Sequence, residues 1–195
     1  MSTVIAPSAR SATSPVNASR ASVVYEHDLI RSSPARKVLA VLRITIGWYF
    51  LWAFIDKIFG FGYLTPAGKG LIDGGHPARG FLGGVIGPFS GVFHAIGKMG
   101  PVVDYLFLFA LLGIGVSVFL GVGLKAAAIA GPALLGMMYL AEFPIGVPQG
   151  TYTNPLLDDH WIMGLAIICF ALLRAGDEWG LGKWWANKVG DGWLR

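Results

Sequence analysis

Hydrophobic and polar positions divide the chain into four long apolar runs separated by polar or glycine-rich segments. The runs cover residues 38–61, 102–124, 126–145 and 155–173 and predict four helices. A helix needs about 20 residues to cross a hydrocarbon core at 1.5 Å per residue. The first two runs reach that length outright. The third is uninterrupted only from Ala126 to Ala141 and the fourth only from Trp161 to Leu173, roughly 24 and 20 Å of helix. To span, the third must draw Glu142 toward the membrane. The fourth must draw in Asp158, Asp159 and His160, unless the bilayer thins locally.

Weaker patterns fill the intervals. Leu82, Val85, Ile86, Phe89, Val92, Phe93 and Ile96 recur at three- and four-residue steps, the period of one helical face. Pro88 and several glycines interrupt them, so one or two short helices are expected on the outer surface or dipping in as a re-entrant lid. Gly113, Ser117 and Gly121, spaced by four, predict a close approach of two helices. Pro132 predicts a kink in the third run. Trp179, Trp184, Trp185 and Trp193 sit among Lys183 and Lys188 and predict an interfacial anchor. Residues 1–33 are Ser- and Ala-rich and are expected to form a disordered tail, with no apolar core of a secretory signal. Arg195 is expected in a solvated tail. Residues 34–195 then form one all-α integral membrane domain, a four-helix bundle with an extracytoplasmic amphipathic loop.

Composition narrows the class. Of 195 residues, 54% are hydrophobic and 13% charged, with a mean hydropathy of +0.61. Soluble domains carry about 25% charged residues, and a water-exposed surface could not be covered with so few. A disordered chain, a coiled coil and a nucleic-acid-binding domain are excluded. The net charge of +4 reflects topology. Arg10, Arg20, Arg31, Arg36 and Lys37 precede the first run, Lys125 joins the second to the third, and Arg174, Lys183 and Lys188 follow the fourth. The other side has Lys69, Arg79 and Lys98 spread over a long loop. Bases concentrate on the cytoplasmic side, so both termini are expected in the cytoplasm of a multi-pass cell-membrane protein. The loops at 62–101 and 146–154 are then outside. The single Cys169 excludes an internal disulfide, a CxxC pair and an iron–sulfur cluster. No GxGxxG, Walker A or HExxH motif is present. No haem, flavin or metal is indicated, and the spacing of Glu142, Asp158, Asp159 and His160 is not diagnostic of one.

That topology gathers ionisable residues. Asp56 and Lys57, Asp104, Glu142, and Asp158, Asp159 and His160 all fall at the outer helix ends. A charge in lipid costs roughly 2.5–3.5 kcal/mol on insertion scales, so such groups turn inward and pair. The expected result is a polar pocket in which Lys57 offsets carboxylates and the Asp-Asp-His triplet exchanges protons. Arg43 lies about 40° from Lys57 around the helix, offering a second binding point at the inner interface. Trp48, Trp52 and Trp161 are candidates to stack on an aromatic ligand. The plainer alternative is that these charges snorkel to headgroups.

The stretch RITIGWYFLWAFIDK, Arg43 to Lys57, resembles the first helix of DoxX/DoxD-type membrane proteins. The stretches GHPARGFLGGVIGPFSGVFHAIG and NPLLDDHWIMGLAIICFALLRAGDEWGLGKWW are similar to the DoxD branch. The resemblance implies a four-helix membrane subunit of a thiosulfate:quinone oxidoreductase. Electrons would pass from thiosulfate to quinone as acceptor, giving tetrathionate, with a second subunit alongside. On that reading Lys57, Asp104, Glu142, Asp158, Asp159 and His160 are the candidate catalytic residues. Arg43, Trp48, Trp52 and Trp161 are the candidate quinone-binding residues. The lipid bilayer, a second subunit or redox partner, and further copies of the chain are the partners in view. A non-catalytic membrane subunit of a redox complex, and a small-solute binder or carrier using the outer pocket, remain open alternatives.

Overall fold

The computed structural model describes residues 23–146, 154 and 156–195. The disorder expected of residues 1–22, and most of the 146–154 loop, lie outside the described residues. Every regular element among those described is helical. The helices are α1 (Glu26–Leu29), α2 (Ser33–Phe59), α3 (Pro77–Gly84), α4 (Ser90–Gly97), α5 (Val102–Leu120), α6 (Leu124–Ala141), α7 (Asp159–Leu172) and α8 (Gly182–Val189). A 3-10 turn at Leu71–Asp73 precedes α3. Helices α2, α5 and α6 are long and apolar enough to cross a membrane, with mean hydropathies of 1.9, 2.2 and 1.5. Helix α7 is apolar but has 14 residues, about 21 Å.

Local chemistry sets the boundaries. Ser32 caps α2 by accepting from the Ala35 N–H at 3.4 Å, with proline in the first turn. The second and third apolar runs are nearly continuous in sequence. They part because Gly121 and Gly123 take positive φ, 73° and 62°, which an L side chain resists. The Ser117 hydroxyl seals the break by donating to the Val122 carbonyl. Asp158 starts α7, its carboxylate accepting from the His160 N–H at 3.1 Å.

Helix α2 packs along α5 and α6 along α7, with α5–α6 and α2–α7 contacts joining the pairs. The core between them holds Ile46, Phe50, Leu111, Ile114, Val118, Leu135, Ile167 and Phe170. The outward faces are also apolar. Phe109, Ile162 and Leu172 are all exposed, a surface that water disfavours and a bilayer accepts. The helices approach most closely at glycines other than the expected stripe. A Cβ at Gly47 would lie 2.4 Å from the Phe119 nitrogen, and one at Gly131 would lie 2.9 Å from Ile167 Cδ1. Gly113 faces open space and Ser117 serves the end of α5, but Gly121 of the expected stripe does make a close approach, a Cβ there lying 2.5 Å from Gly176 Cα in the segment after α7.

The loop helices α3 and α4 pack on each other. Val85 and Phe93, with Leu82 and Ile96 beside them, rest on Ala141 at the end of α6. At the opposite end the two terminal segments are tied together. The Val24 N–H donates to Asp191 at 2.7 Å and the Glu26 N–H to Asp177 at 2.8 Å. Residues 23–33 are therefore held in place, unlike the loose tail expected to reach residue 33. Arg195 is likewise not solvated. It is 6% exposed and pairs with Asp177 at 3.0 Å and with Asp191.

Glu26 sits inside this knot, 1% exposed. One carboxylate oxygen accepts from the Glu178 N–H at 3.0 Å and the other has no partner. Burial pushes its pKa up from 4.5 to about 7; the Glu178 amide opposes this and the nearby Asp177 and Glu178 charges add to it. The folded state thus favours the protonated acid. The associated stability is fully present below pH 4.5 and is lost as pH rises through about 7, a change of about 3 kcal/mol at most. Hydrogen-exchange protection of residues 24–30 should fall between about pH 4.5 and 7, and Glu26→Gln should flatten that fall. An unchanged pH dependence in the variant would assign it to another group.

Candidate functional site

At the end of the helices remote from the terminal knot lies a cavity of about 770 Å³. Helix α2 contributes Tyr49 and Lys57, α5 Phe107, α6 Met138, and α7 Asp159 and His160. Glu142, at the C-cap of α6, completes the acidic side. Thr65, Lys69 and His76 of the loop and Phe81 of α3 close it over. A second cavity of about 710 Å³ adjoins it, with Glu142, Asp158, Asp159 and Asn154 on its wall. Lys57, Glu142, Asp159 and His160, scattered in sequence, thus line one space.

Helix α7 fixes His160. The ring is 8% exposed, with Nδ1 2.8 Å from Asp158 Oδ2 and 3.7 Å from Asp159 Oδ1. The other Asp158 oxygen caps the helix, where the helix dipole favours a carboxylate. Holding Nδ1 fixes the ring orientation and leaves Nε2 for a ligand. Ligand atoms of Asp158, Asp159 and His160 lie within 4.8 Å of one another, so these three are the residues that could hold a cation. The same arrangement is what a capped helix start requires. The Lys57 ammonium lies 5.9 Å from the Phe107 ring centroid, within cation–π range.

Other predicted site residues lie elsewhere. Asp104 is 1% exposed and does not line the cavity. One oxygen accepts from the Ala78 and Arg79 N–H groups at 2.9 and 3.0 Å, and the other takes Arg79 Nε at 2.5 Å. Arg79 Nη2 in turn lies 2.7 Å from His76 Nδ1. Asp104 therefore positions α3 and His76 rather than meeting a ligand. Asp56 plays a similar part, its carboxylate accepting from the Thr65 N–H at 2.7 Å and tying the loop to α2. Arg43 is fully buried at the far end, its guanidinium donating only to backbone carbonyls. It is a clamp, not a ligand-binding group.

The tryptophans also depart from expectation. Trp48 is 50% exposed and packs on Trp52 and Phe119, each at 6.3 Å. Trp52 stacks on Phe61 at 6.2 Å and meets Tyr63 edge-on at 5.4 Å. Trp161 meets Tyr139 edge-on at 5.6 Å beside a separate small cavity of about 200 Å³. The aromatic groups on the main cavity wall are Tyr49, Phe81 and Phe107. Helical phase carried part of this signal. At 100° per residue, Trp48 lies about 180° from Lys57 and Trp52 about 140°, but Tyr49 lies about 80° away. No spacing rule pointed to Lys69 or His76, which arrive through the loop.

Fold and site define an all-helical protein whose apolar helices suit a lipid bilayer and whose polar cavity lies at one end of them. No family model, curated protein or solved structure matches the chain.

Proposed function

We propose that the chain is a membrane oxidoreductase, or the membrane subunit of one, that binds the head of a quinone in the cavity around His160. In this reading it reduces the quinone with electrons from a small sulfur compound such as thiosulfate. Helix α7 is the fourth crossing of the bundle, its 14 residues matched by local bilayer thinning. Both termini are cytoplasmic. Their mutual contacts fit an even number of crossings, and the surplus of Lys and Arg lies at their end.

The supporting observation is the convergence of Lys57, Glu142, Asp159 and His160 on one cavity at the end of apolar helices. Quinone carbonyls accept hydrogen bonds, and Lys57, the Tyr49 hydroxyl and, in the doubly protonated ring, His160 Nε2 are donors of the right kind. Phe107 and Phe81 give the ring an aromatic wall. The overall reaction joins two thiosulfates through a new sulfur–sulfur bond, releasing two electrons. Quinone takes these with two protons and leaves as quinol, while tetrathionate forms. Lys57 and Lys69 offset the charge of the anion, and Glu142, Asp159 and His160 are the proton-carrying groups.

The test is a quinone-reduction assay on the purified chain with thiosulfate and a short-tail quinone. One quinol per tetrathionate is expected. Binding without reduction would favour the non-catalytic subunit, and absence of quinone binding would overturn the reading.

A further inference from the structure

Beside the polar cavity lies an almost wholly apolar groove of about 320 Å³, between the α3–α4 pair and the α5–α6 pair. Phe81, Phe107 and Met138 line both spaces. The groove continues past them over Ala110 and Leu134. Leu106 and Met137 form its rim and are 64% and 51% exposed, on the apolar outer surface of α5 and α6. Cavity and groove each fall within the roughly 300–1,000 Å³ of small-molecule sites. Their lining chemistry differs sharply. One side carries two lysines, two histidines and three acids, and the other carries none of these.

We propose that the pair of spaces accepts a single-tailed amphiphile, with its polar head in the cavity and its tail in the groove. Resting on the function proposed above, the occupant is a quinone whose prenyl tail crosses the shared wall at Phe107 and Met138 and leaves toward lipid between Leu106 and Met137. Two features support the passage. Met138 has an unbranched, three-torsion side chain that adapts to an irregular guest. The rim also opens on a face that a bilayer covers, so the tail need not cross water. A tail moving from lipid to protein gains little from the hydrophobic effect, since lipid is equally apolar. The groove therefore sets the path and orientation of the head more than its affinity. The informative readout is where the tail lies.

The experiment uses the full chain in phosphatidylcholine vesicles with a quinone carrying a photoactivatable diazirine on its tail. A head-less alkyl diazirine of the same length is the control. The tailed quinone should label the α5 and α6 segments around Leu106 and Met137, whereas the control should spread over all lipid-facing helices. Ala110→Phe, which fills the groove, should cut that labelling at least tenfold and leave short-tail quinone affinity within about twofold. Met137→Trp on the exposed rim is the second variant, should Ala110→Phe fail to fold. Equal labelling patterns for quinone and control, or groove labelling unmoved in both variants, would overturn the tail path and leave quinone binding at the cavity intact. Failure of the short-tail quinone to bind would overturn the functional reading and this inference together.

Discussion

Arg43→Met will cost the protein its cooperative fold, and Arg43→Lys will restore only part of the loss. The Arg43 side chain is 0% exposed. Its Nε donates to the Ala175 carbonyl at 2.9 Å, and Nη1 to those of Val118 at 2.6 Å and Phe119. Nη2 reaches the Trp179 carbonyl at 3.1 Å and that of Glu178 at 3.5 Å. These carbonyls come from the last turn of α5 and from the segment just after α7. The C-terminus of α5 carries partial negative charge, and together with the carbonyls of the turns after α7 it solvates a guanidinium without a carboxylate. Glycines make the room. A Cβ at Gly180 would fall 2.9 Å from Nη2, and one at Gly121 3.2 Å from Nη1. Methionine leaves the Ala175 and Val118 carbonyls buried and unpaired, at about 1–3 kcal/mol each, and releases the part-buried carbonyls of Phe119 and Trp179 as well. Against a total stability of about 5–15 kcal/mol, that loss is large. Lysine keeps the charge but radiates its donors from one point and cannot span the fan. Thermal unfolding in detergent, followed by circular dichroism and size-exclusion chromatography, checks this. An unchanged midpoint for the methionine variant would show that the clamp holds nothing.

The role of Arg43 was out of reach of sequence reasoning for a physical reason. Its partners stand 75 residues away at Val118 and 136 away at Trp179, and they are backbone atoms, which carry no residue-type signal. The same holds for the terminal knot, where Val24 meets Asp191 across 167 positions. Short-range patterns fared better. The apolar runs located the three long helices and the shorter α7 to within about five residues, because burial and lipid exposure both demand apolar side chains. The three- and four-residue rhythm from Leu82 to Ile96 located α4 but caught only the end of α3, since Val85, Ile86 and Phe89 lie between the two helices. Chain reversal alone brought Lys57, Glu142, Asp159 and His160 to one end. Small-residue spacing misled, because Gly47 with Phe119 and the Gly113 stripe look alike in sequence until the facing helix is in place. Asp104 misled in another way. An acid at a helix start in a membrane protein reads as chemistry, yet Ala78, Arg79 and the start of α3 use both its oxygens.

His160→Ala should lower quinone reduction by at least about a hundredfold, the lower range of what a positioned acid–base group contributes. The argument is geometric. Nδ1 is held by Asp158 at 2.8 Å, so on the proposed function Nε2 is the nitrogen that would face a quinone oxygen, and the doubly protonated ring is the form that would give it a proton. Asp158→Asn separates this role from the helix start. Asparagine caps as well as aspartate, so α7 should remain formed, but the charge that steadies a protonated His160 is gone. The expected result is a folded variant whose rate falls less than that of His160→Ala. Lys57→Met should weaken binding of a short-tail quinone, because its ammonium is a donor on the opposite wall of the same cavity. Trp48→Phe should change neither binding nor rate, since that ring lies outside the cavity on the exposed face of α2. Steady-state quinol formation and quinone titration on each variant, with circular dichroism as the folding control, decide the matter. If His160→Ala and Lys57→Met both keep the parent rate and affinity, the cavity is not the quinone site. The charged residues around it are then helix-end groups facing headgroups and water.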